Sequence, residues 1–270
     1  MRWLRDAKDY MPQGIENTGE RLIPGGSDLP TFYEHIYRYA FACKLLRGLE
    51  ILDIASGEGY GTHALSKVAK SITGMDVDLE TVRHAIEKYA LDYRVGTAER
   101  IPIESAIFGA AVSFETIEHL SHPEKFLKEL SRILKPGGRL VISTPNKDVY
   151  HHGQEANPFH ISELTLAEFR EILTPHFEIK EIYGQIYPDQ PPLEKVLQPL
   201  GLKRMTRWLK NRFWPDFNAD RPVEVDRMLK RIPLLAQPLD GFWNPYALRK
   251  ITDSDIQKPK YLVIVAVKKG

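Results

Sequence analysis

The fold of this chain is decided by the stretch Ile51-Leu52-Asp53-Ile54-Ala55-Ser56-Gly57-Glu58-Gly59-Tyr60-Gly61. Its first four residues, 51–54, are the end of an apolar run of the kind found in parallel strands that are buried on both faces. Three alternate glycines follow, and glycine allows a tight turn and a close approach of the backbone to a ligand. A helix that begins near Tyr60 would present free backbone N–H groups, which suit a carboxylate or a phosphate. The stretch therefore predicts a strand, a ligand-binding loop and a helix.

The spacing of the glycines and two nearby carboxylates indicates which ligand this loop binds. A dinucleotide loop has the pattern G-x-G-x-x-G, whereas here the third glycine comes one place early and Thr62 stands at the expected position. Asp53 could receive a ligand ammonium, and Asp76, at the end of the next predicted strand, could accept both hydroxyls of a ribose. One ligand with an amino-acid end and a ribose satisfies both carboxylates, and that ligand is S-adenosylmethionine.

Apolar strands alternate with helical patterns from residue 49 onward. The strands are predicted at residues 49–54, 71–77, 92–95, 110–114, 139–143, 177–183 and 261–267. Strands that alternate with helices imply right-handed crossovers, so we expect an α/β fold with a doubly wound sheet.

Three further helices are predicted around these strands. An aromatic helix at residues 32–46 precedes the first strand, and another helix is expected at 163–173. The third follows Ser121, which with Glu124 forms a capping-box pattern, while Pro123 suits the first turn. The sequence Lys135-Pro136-Gly137-Gly138 is expected to end this helix and to turn the chain into the next strand.

We divide the chain into four parts. They are an N-terminal helical segment or lid at residues 1–45, a ligand-binding core at 46–187, a basic cap insertion at 188–259 and a final core strand at 260–270. The insertion is rich in proline and tryptophan and interrupts the predicted sheet.

The motifs of the core occur in the order seen in the class I S-adenosylmethionine-dependent methyltransferases, which the chain resembles over roughly residues 46–185 and the final strand. The motifs are the glycine loop, Asp76, the segment 96–102, the segment 113–120 and the segment 132–138. The resemblance implies a Rossmann-like sheet of seven strands whose last strand is antiparallel. It also implies that the cofactor lies across the carboxyl ends of the first strands.

The same resemblance implies a set of cofactor-binding residues. Asp53 and Gly57 belong near the methionine moiety, Asp76 at the ribose, and Ala98 and Glu99 beside the adenine. Many relatives have Asp where this chain has Thr97, so the adenine amino group is held by Glu99 or by the backbone. The complete predicted set is Arg38, Asp53, Ala55, Gly57, Gly59, Asp76, Val77, Ala98, Glu99 and Glu115. Arg38 could pair with the methionine carboxylate, or it could have a surface or packing role.

Two histidines are candidates for removing a proton from the methyl acceptor. His119 follows the fourth strand, at the edge where the transferred methyl should lie, and His160 follows the fifth strand on the same edge. The alternatives are that Glu118 and His119 cap the next helix, and that His160, like His151 and His152, is a solvent-facing loop histidine.

A metal site is a further possibility at this edge. The E-x-x-E-H spacing of Glu115, Glu118 and His119 resembles a segment of the quinone-biosynthetic O-methyltransferases that holds a divalent cation. Two carboxylates and an imidazole could bind Mg²⁺, which would lower the pKa of a coordinated hydroxyl. The alternative is that the cofactor occupies Glu115.

Other segments bear on the acceptor. Thr18-Gly19-Glu20-Arg21-Leu22-Ile23-Pro24-Gly25, Ser143-Thr144-Pro145-Asn146 and Phe159-His160-Ile161-Ser162-Glu163-Leu164 resemble parts of methyltransferases that act on sugars or nucleotide-linked glycans. We therefore expect methyl transfer to a hydroxyl of a saccharide, as in polysaccharide biosynthesis. The alternatives are a quinol-type small-molecule O-methyltransferase with a divalent metal, and a noncatalytic cofactor-binding partner subunit.

Charge indicates where a partner could bind. The 37 basic and 36 acidic residues leave a net charge of +1, which argues against a protein that coats nucleic acid. The segment 201–214, however, has five basic residues and no acidic one. It could lie on an anionic membrane surface, offer arginines to a phosphate-bearing or lipid-linked acceptor, or form a packed cap with a solvated basic face.

The cysteine content and the hydropathy of the chain indicate its cellular compartment. Cys43, the one cysteine, lies in an apolar-rich run and is expected to be a buried small hydrophobe rather than a catalytic thiol. We see neither a stretch of about 18 to 20 apolar residues nor the apolar core of a secretory signal. The expected location is cytoplasmic, with contact at the inner membrane face through residues 201–214.

Overall fold

The computed structural model describes residues 29–150, 157–185, 247–252 and 259–270. These residues contain a central sheet of eight strands. The strands are β1 (Glu50–Ile54), β2 (Ser71–Asp76), β3 (Asp92–Val95), β4 (Phe108–Ser113), β5 (Leu134–Pro145), β6 (Phe177–Gln185), β7 (Leu248–Lys250) and β8 (Tyr261–Lys268). Their order is β3-β2-β1-β4-β5-β8-β6-β7. The first five strands are parallel to one another, and β8 is antiparallel to both β5 and β6. The predicted doubly wound sheet and its antiparallel last strand are confirmed.

The number of strands differs from the prediction of seven. The additional strand, β7, pairs with the edge strand β6 and lies inside the range predicted as a cap insertion. It has three residues and no apolar run, so neither its length nor its hydropathy could mark it in the sequence. Most of the predicted insertion, including residues 201–214, lies outside the described residues.

The start of β5 also differs from the prediction. The strand begins at Leu134 rather than at Arg139, directly after the preceding helix. Phe108 pairs with Leu134 and Ala110 with Arg139, so the residues between Leu134 and Arg139 bulge out of the pairing. The predicted turn at Lys135-Pro136-Gly137-Gly138 is therefore a bulge within the strand, with Gly137 in the left-handed region at φ 72°.

Five α-helices flank the sheet in the described residues. They are α1 (Leu29–Leu45), α2 (Tyr60–Ser66), α3 (Leu79–Tyr89), α4 (Pro123–Ile133) and α5 (Leu166–Leu173). One cluster of buried residues joins α1 and α2 to the sheet, and a second cluster joins α4 and α5 to the sheet. Cys43 of α1 is buried in the first cluster, and burial raises the pKa of its thiol to about 12, as expected for a packing residue.

The predicted helix caps are corrected by the structure. Pro123 is the first residue of α4, which makes His122 the N-cap and leaves Ser121 one place too early to cap the helix. The capping box is instead at α5, where the Thr165 hydroxyl accepts from the Glu168 N–H and the Glu168 carboxylate accepts from the Thr165 N–H. This box also explains why the helix predicted from residue 163 begins at Leu166.

Among the described residues, no helix has both the length and the apolar character needed to cross a membrane.

Candidate active site

The glycine loop joins β1 to α2 at the carboxyl edge of the sheet. Ala55 (φ 56°), Gly57 (φ 54°) and Gly59 (φ 92°) all adopt left-handed backbone, which explains the tight turn. A Cβ on Gly57 would meet no atom within 4 Å, whereas one on Gly59 would lie 2.6 Å from the Tyr93 hydroxyl and one on Gly61 would lie 1.9 Å from the Tyr39 ring. A side chain at Gly59 or Gly61 would therefore clash with a tyrosine, whereas Gly57 faces open space.

Asp53 lies beneath this loop as a fully buried carboxylate. The Thr62 hydroxyl donates to it over 2.6 Å, and the Tyr39 hydroxyl lies 3.2 Å away as a second donor. Burial raises the pKa of Asp53 to about 7, and the two hydroxyl donors oppose that shift. Sequence reasoning noted Thr62 only as a departure from the dinucleotide pattern, and it gave no reason to connect Thr62 or Tyr39 with Asp53.

Asp76 is fixed at the end of β2 by backbone groups. The Gly57 N–H donates to one of its carboxylate oxygens over 2.8 Å, and the Asp78 N–H donates to the other over 3.1 Å. Asp76 is thus held directly against the glycine loop. The next side chain, Val77, is 65% exposed, which is unusual for a valine beside a sheet core.

The two residues predicted beside the adenine lie farther along the same edge. Ala98 packs against the cluster that contains α4 and α5. Glu99 accepts a hydrogen bond of 3.0 Å from the backbone N–H of His122, so one of its carboxylate oxygens helps to position the start of α4.

Arg38 of α1 is completely buried, which rules out the surface alternative. Its Nη1 donates to Gln185 over 2.7 Å, and its guanidinium lies 4.7 Å from the centre of the Tyr261 ring. Its Nε and Nη2, which form one edge of the guanidinium, have no hydrogen-bond partner among the described residues. Burial alone would lower the pKa of Arg38, but nearby negative charge, chiefly that of Glu115, raises it. A buried guanidinium edge without partners is suited to bind a carboxylate with two parallel hydrogen bonds.

Glu115 follows β4 in a strained conformation. Its φ of 51° lies in the left-handed region, which costs a residue with a side chain roughly 1 to 3 kcal/mol and is found preferentially at functional sites. Ser143 of β5 holds it there, because the Ser143 hydroxyl donates to the Glu115 carboxylate over 2.6 Å and accepts from the Glu115 N–H over 3.2 Å.

Glu118 and His119 form part of a short 3-10 turn at Ile117–His119. Glu118 is buried, one carboxylate oxygen accepts from the Thr144 hydroxyl over 3.3 Å, and the other oxygen has no partner among the described residues. Burial, and then the charge of Glu115, raises the pKa of Glu118 well above its usual range. Neither residue caps α4, so the capping alternative for this pair is wrong.

His119 and His160 meet at this edge with their ring centres 5.0 Å apart. The Nδ1 of His119 lies 2.9 Å from the Phe159 carbonyl oxygen, so this nitrogen carries the proton and Nε2 keeps its lone pair. The His160 side chain is only 6% exposed, with Nδ1 2.6 Å from the Glu163 carboxylate and Nε2 3.0 Å from the Asn157 amide nitrogen. His160 is therefore not the solvent-facing histidine of the alternative interpretation, whereas His151 and His152 lie outside the described residues.

The three residues that come together as a candidate metal cluster are Glu118, His119 and His160. Each offers one ligand atom, and these atoms lie within 4.8 Å of one another. The structure thus joins the two predicted proton acceptors with Glu118. Glu115, the other residue of the predicted metal set, is not part of this group.

Comparisons with known proteins give consistent results. A family model described as "Methyltransferase domain" matches residues 52–142. A "Probable S-adenosylmethionine-dependent methyltransferase" from Mycolicibacterium smegmatis is 35% identical over 186 residues, which cover 67% of this chain and 72% of that protein. A "Ubiquinone biosynthesis O-methyltransferase" from Chelativorans sp. is 32% identical over 203 residues, covering 72% and 76% of the two chains. In fold, the crystal structure of a SAM-dependent methyltransferase from Thermotoga maritima is similar, with a TM-score of 0.57, 18% identity and coverage of 88% and 92%.

Proposed function

Because this chain belongs to the S-adenosylmethionine-dependent methyltransferases, we propose that it transfers a methyl group from S-adenosylmethionine to a hydroxyl oxygen of its acceptor. The observation that carries the choice of a hydroxyl is the state of His119. Its Nδ1 proton is held by a backbone carbonyl, which leaves Nε2 able to accept a proton.

The residues at the carboxyl edge fit the cofactor. The free edge of the Arg38 guanidinium suits the methionine carboxylate, the open space at Gly57 admits the ligand, and the Asp76 carboxylate suits the ribose hydroxyls. The exposed Val77 side chain offers an apolar contact for the adenine. When bound, S-adenosylmethionine supplies a methyl group that its positively charged sulfur makes electrophilic.

The task of the protein is then to align the acceptor and to take its proton. Methyl transfer is an in-line displacement, so the rate depends strongly on holding the acceptor oxygen in position. We propose that Nε2 of His119 accepts the proton of the acceptor hydroxyl. His160, fixed by Glu163 and Asn157, packs edge-on against the His119 ring and keeps it oriented.

A quinol-type hydroxyl is the acceptor that the relatives favour. This support comes from the similarity to ubiquinone O-methyltransferases, at 32% identity for the protein from Chelativorans sp.. A phenolic hydroxyl has a pKa of about 10, which makes its proton accessible to an imidazole base.

A sugar hydroxyl is the second candidate. It is favoured by the sequence patterns at residues 18–25, 143–146 and 159–164, of which the first lies outside the described residues. A phosphate-bearing or lipid-linked form of that acceptor, read by residues 201–214, stays a prediction.

The test is a panel of acceptors incubated with S-adenosylmethionine, followed by mass analysis for a gain of CH₂. Catechol-type and quinol-type compounds form one arm, and sugars and nucleotide-linked sugars form the other. We expect His119→Gln to lower turnover by about 100-fold or more. The matched control is His122→Gln, because the His122 side chain is half-exposed and lies outside the cluster. A full rate in His119→Gln would contradict the assignment, and cofactor binding without turnover of any acceptor would support a noncatalytic partner subunit instead.

A further inference from the structure

Two buried side chains of opposite charge lie one turn apart on α1, and both have polar atoms without a partner. Glu34 and Arg38 are separated by four residues, a spacing that places side chains next to each other on one face of a helix. Arg38 has the free edge of its guanidinium, and the Oε2 atom of Glu34 has no hydrogen-bond partner among the described residues. We propose that Glu34 binds the α-ammonium group of S-adenosylmethionine, while Arg38 binds the carboxylate of the same methionine end.

The first support is the incompletely compensated charge of Glu34. Its side chain is only 1% exposed, and the Lys260 ammonium lies 3.5 Å from Oε1, which is long for a charge-assisted hydrogen bond. Burial raises the pKa of Glu34, although the charges of Lys260 and Arg38 and hydrogen bonding to Tyr261 oppose this shift. A buried carboxylate is costly unless a cation or donors compensate it. A ligand ammonium supplies both a positive charge and donors at the oxygen atom that lacks them.

The second support is the way in which Gln185 fixes both residues. Its side-chain oxygen accepts from Nη1 of Arg38 over 2.7 Å, and its amide nitrogen donates to the backbone carbonyl of Glu34 over 3.0 Å. Gln185 is itself buried, at the last position of β6. This bridge holds the two charges in place and leaves Oε2 of Glu34 and the edge of Arg38 available. The α-amino acid end of a ligand carries the complementary pair of charges.

Asp53, the residue that the sequence predicted for the ligand ammonium, is the competing candidate. Each of its carboxylate oxygens already has a hydroxyl donor, because Thr62 donates to one over 2.6 Å and the Tyr39 hydroxyl lies 3.2 Å from the other. Burial raises the pKa of Asp53 to about 7, so it carries only part of a negative charge at neutral pH. Glu34, with an oxygen that lacks any donor, therefore has more to gain from a ligand ammonium than Asp53 has.

The assignment gives α1 a direct part in selecting the cofactor. A ligand that lacks either its ammonium or its carboxylate would leave one buried charge of α1 uncompensated, which costs binding free energy. The assignment rests on the proposed use of S-adenosylmethionine, but it does not depend on which atom of the acceptor is methylated.

The experiment is a calorimetric titration of the full chain with S-adenosylhomocysteine and with its deaminated analogue, which has hydrogen in place of the α-amino group. The unaltered protein should bind the amine-bearing ligand about 10- to 100-fold more tightly. Glu34→Gln keeps the side-chain volume but removes the charge, so it should lose most of this preference without weakening the deaminated analogue. Asp53→Asn should keep the preference. The control is Glu178→Gln, which should change neither Kd because the Glu178 side chain is exposed near the opposite end of β6.

The proposal is overturned if Glu34→Gln, shown to be folded by circular dichroism, keeps the preference or weakens both ligands by the same factor. It is also overturned if the unaltered protein does not distinguish the two ligands, or if Asp53→Asn alone loses the preference. Glu34→Asp carries the same comparison if Glu34→Gln does not fold, because the shorter side chain retracts the carboxylate: it should selectively weaken the amine-bearing ligand, and an unchanged preference overturns the proposal.

The same measurements separate this proposal from the proposed function. Methylation of a hydroxyl by a protein in which Glu34→Gln keeps the ligand preference would refute only the role of Glu34. Loss of the preference in Glu34→Gln, together with methylation of an atom other than oxygen, would refute only the hydroxyl acceptor.

Discussion

Replacement of Arg38 by lysine should weaken cofactor binding through one identifiable contact. The guanidinium is buried, its Nη1 is bound to Gln185, and its Nε and Nη2 are without partners among the described residues. Lysine keeps the positive charge but cannot form two parallel hydrogen bonds with a carboxylate. The loss of one charge-assisted hydrogen bond, about 2 kcal/mol, corresponds to a Kd about 30-fold higher.

The assay is calorimetric titration with S-adenosylmethionine and with its decarboxylated analogue. The unaltered protein should prefer the carboxylate-bearing ligand, and Arg38→Lys should lose most of that preference. Arg139→Lys is the matched control, since the Arg139 guanidinium donates to the Leu45 carbonyl and is not part of the site. If Arg38→Lys weakens both ligands by the same factor, Arg38 acts only in packing and its assignment to the carboxylate is refuted.

The remaining predictions concern stability. The pKa of Asp53 is about 7 in the folded state and near 3.8 in the unfolded state, so the native carboxyl keeps its proton where the unfolded one has lost it, and stability falls as pH rises toward and through 7. Relative to Asp53→Asn, the free energy of unfolding of the unaltered protein, measured in urea, should fall by roughly 3 kcal/mol between about pH 5 and about pH 8. An equal dependence of this free energy on pH in the two proteins would contradict the assignment. Gly61→Ala should destabilise by about 1 to 3 kcal/mol because the new Cβ meets the Tyr39 ring, and thermal melting should show that Gly61→Ala costs less in a Tyr39→Leu background. Thr165→Ala should cost about 1 kcal/mol of unfolding free energy through loss of the capping box, whereas Ser121→Ala should change it by less than about 0.5 kcal/mol; similar losses would contradict the observed caps.

Much of the fold could be predicted because its information is local. Near-continuous apolar runs marked the buried parallel strands, and the glycine loop marked the crossing from β1 to α2. The first-turn Pro123 of α4 was likewise visible in sequence. The elements that were missed depend on tertiary pairing. The strand β7 has three residues and forms only because β6 offers a free edge, and the bulge at the start of β5 depends on its register with β4.

The candidate site likewise combines features that are encoded locally in the sequence with features that depend on contacts between distant residues. The loop and Asp76 could be located because strand ends in a parallel sheet share one edge. The partners that give the other residues their properties are distant in sequence, as Gln185 is from Arg38 and His160 is from Glu118. No spacing rule links such pairs. The predicted metal set therefore contains Glu115, which is near in sequence, whereas the candidate metal cluster of the structure contains His160.

The central claim is tested most directly by the position of a transferred methyl group. The protein is incubated with S-adenosylmethionine labelled with ¹³C in its methyl group and with the acceptor that gives the highest turnover, and the product is examined by NMR. We predict that the labelled carbon is bound to oxygen, as a methyl ether. A label bound to nitrogen, carbon or sulfur, or no labelled product from a protein that binds S-adenosylhomocysteine, would contradict the account.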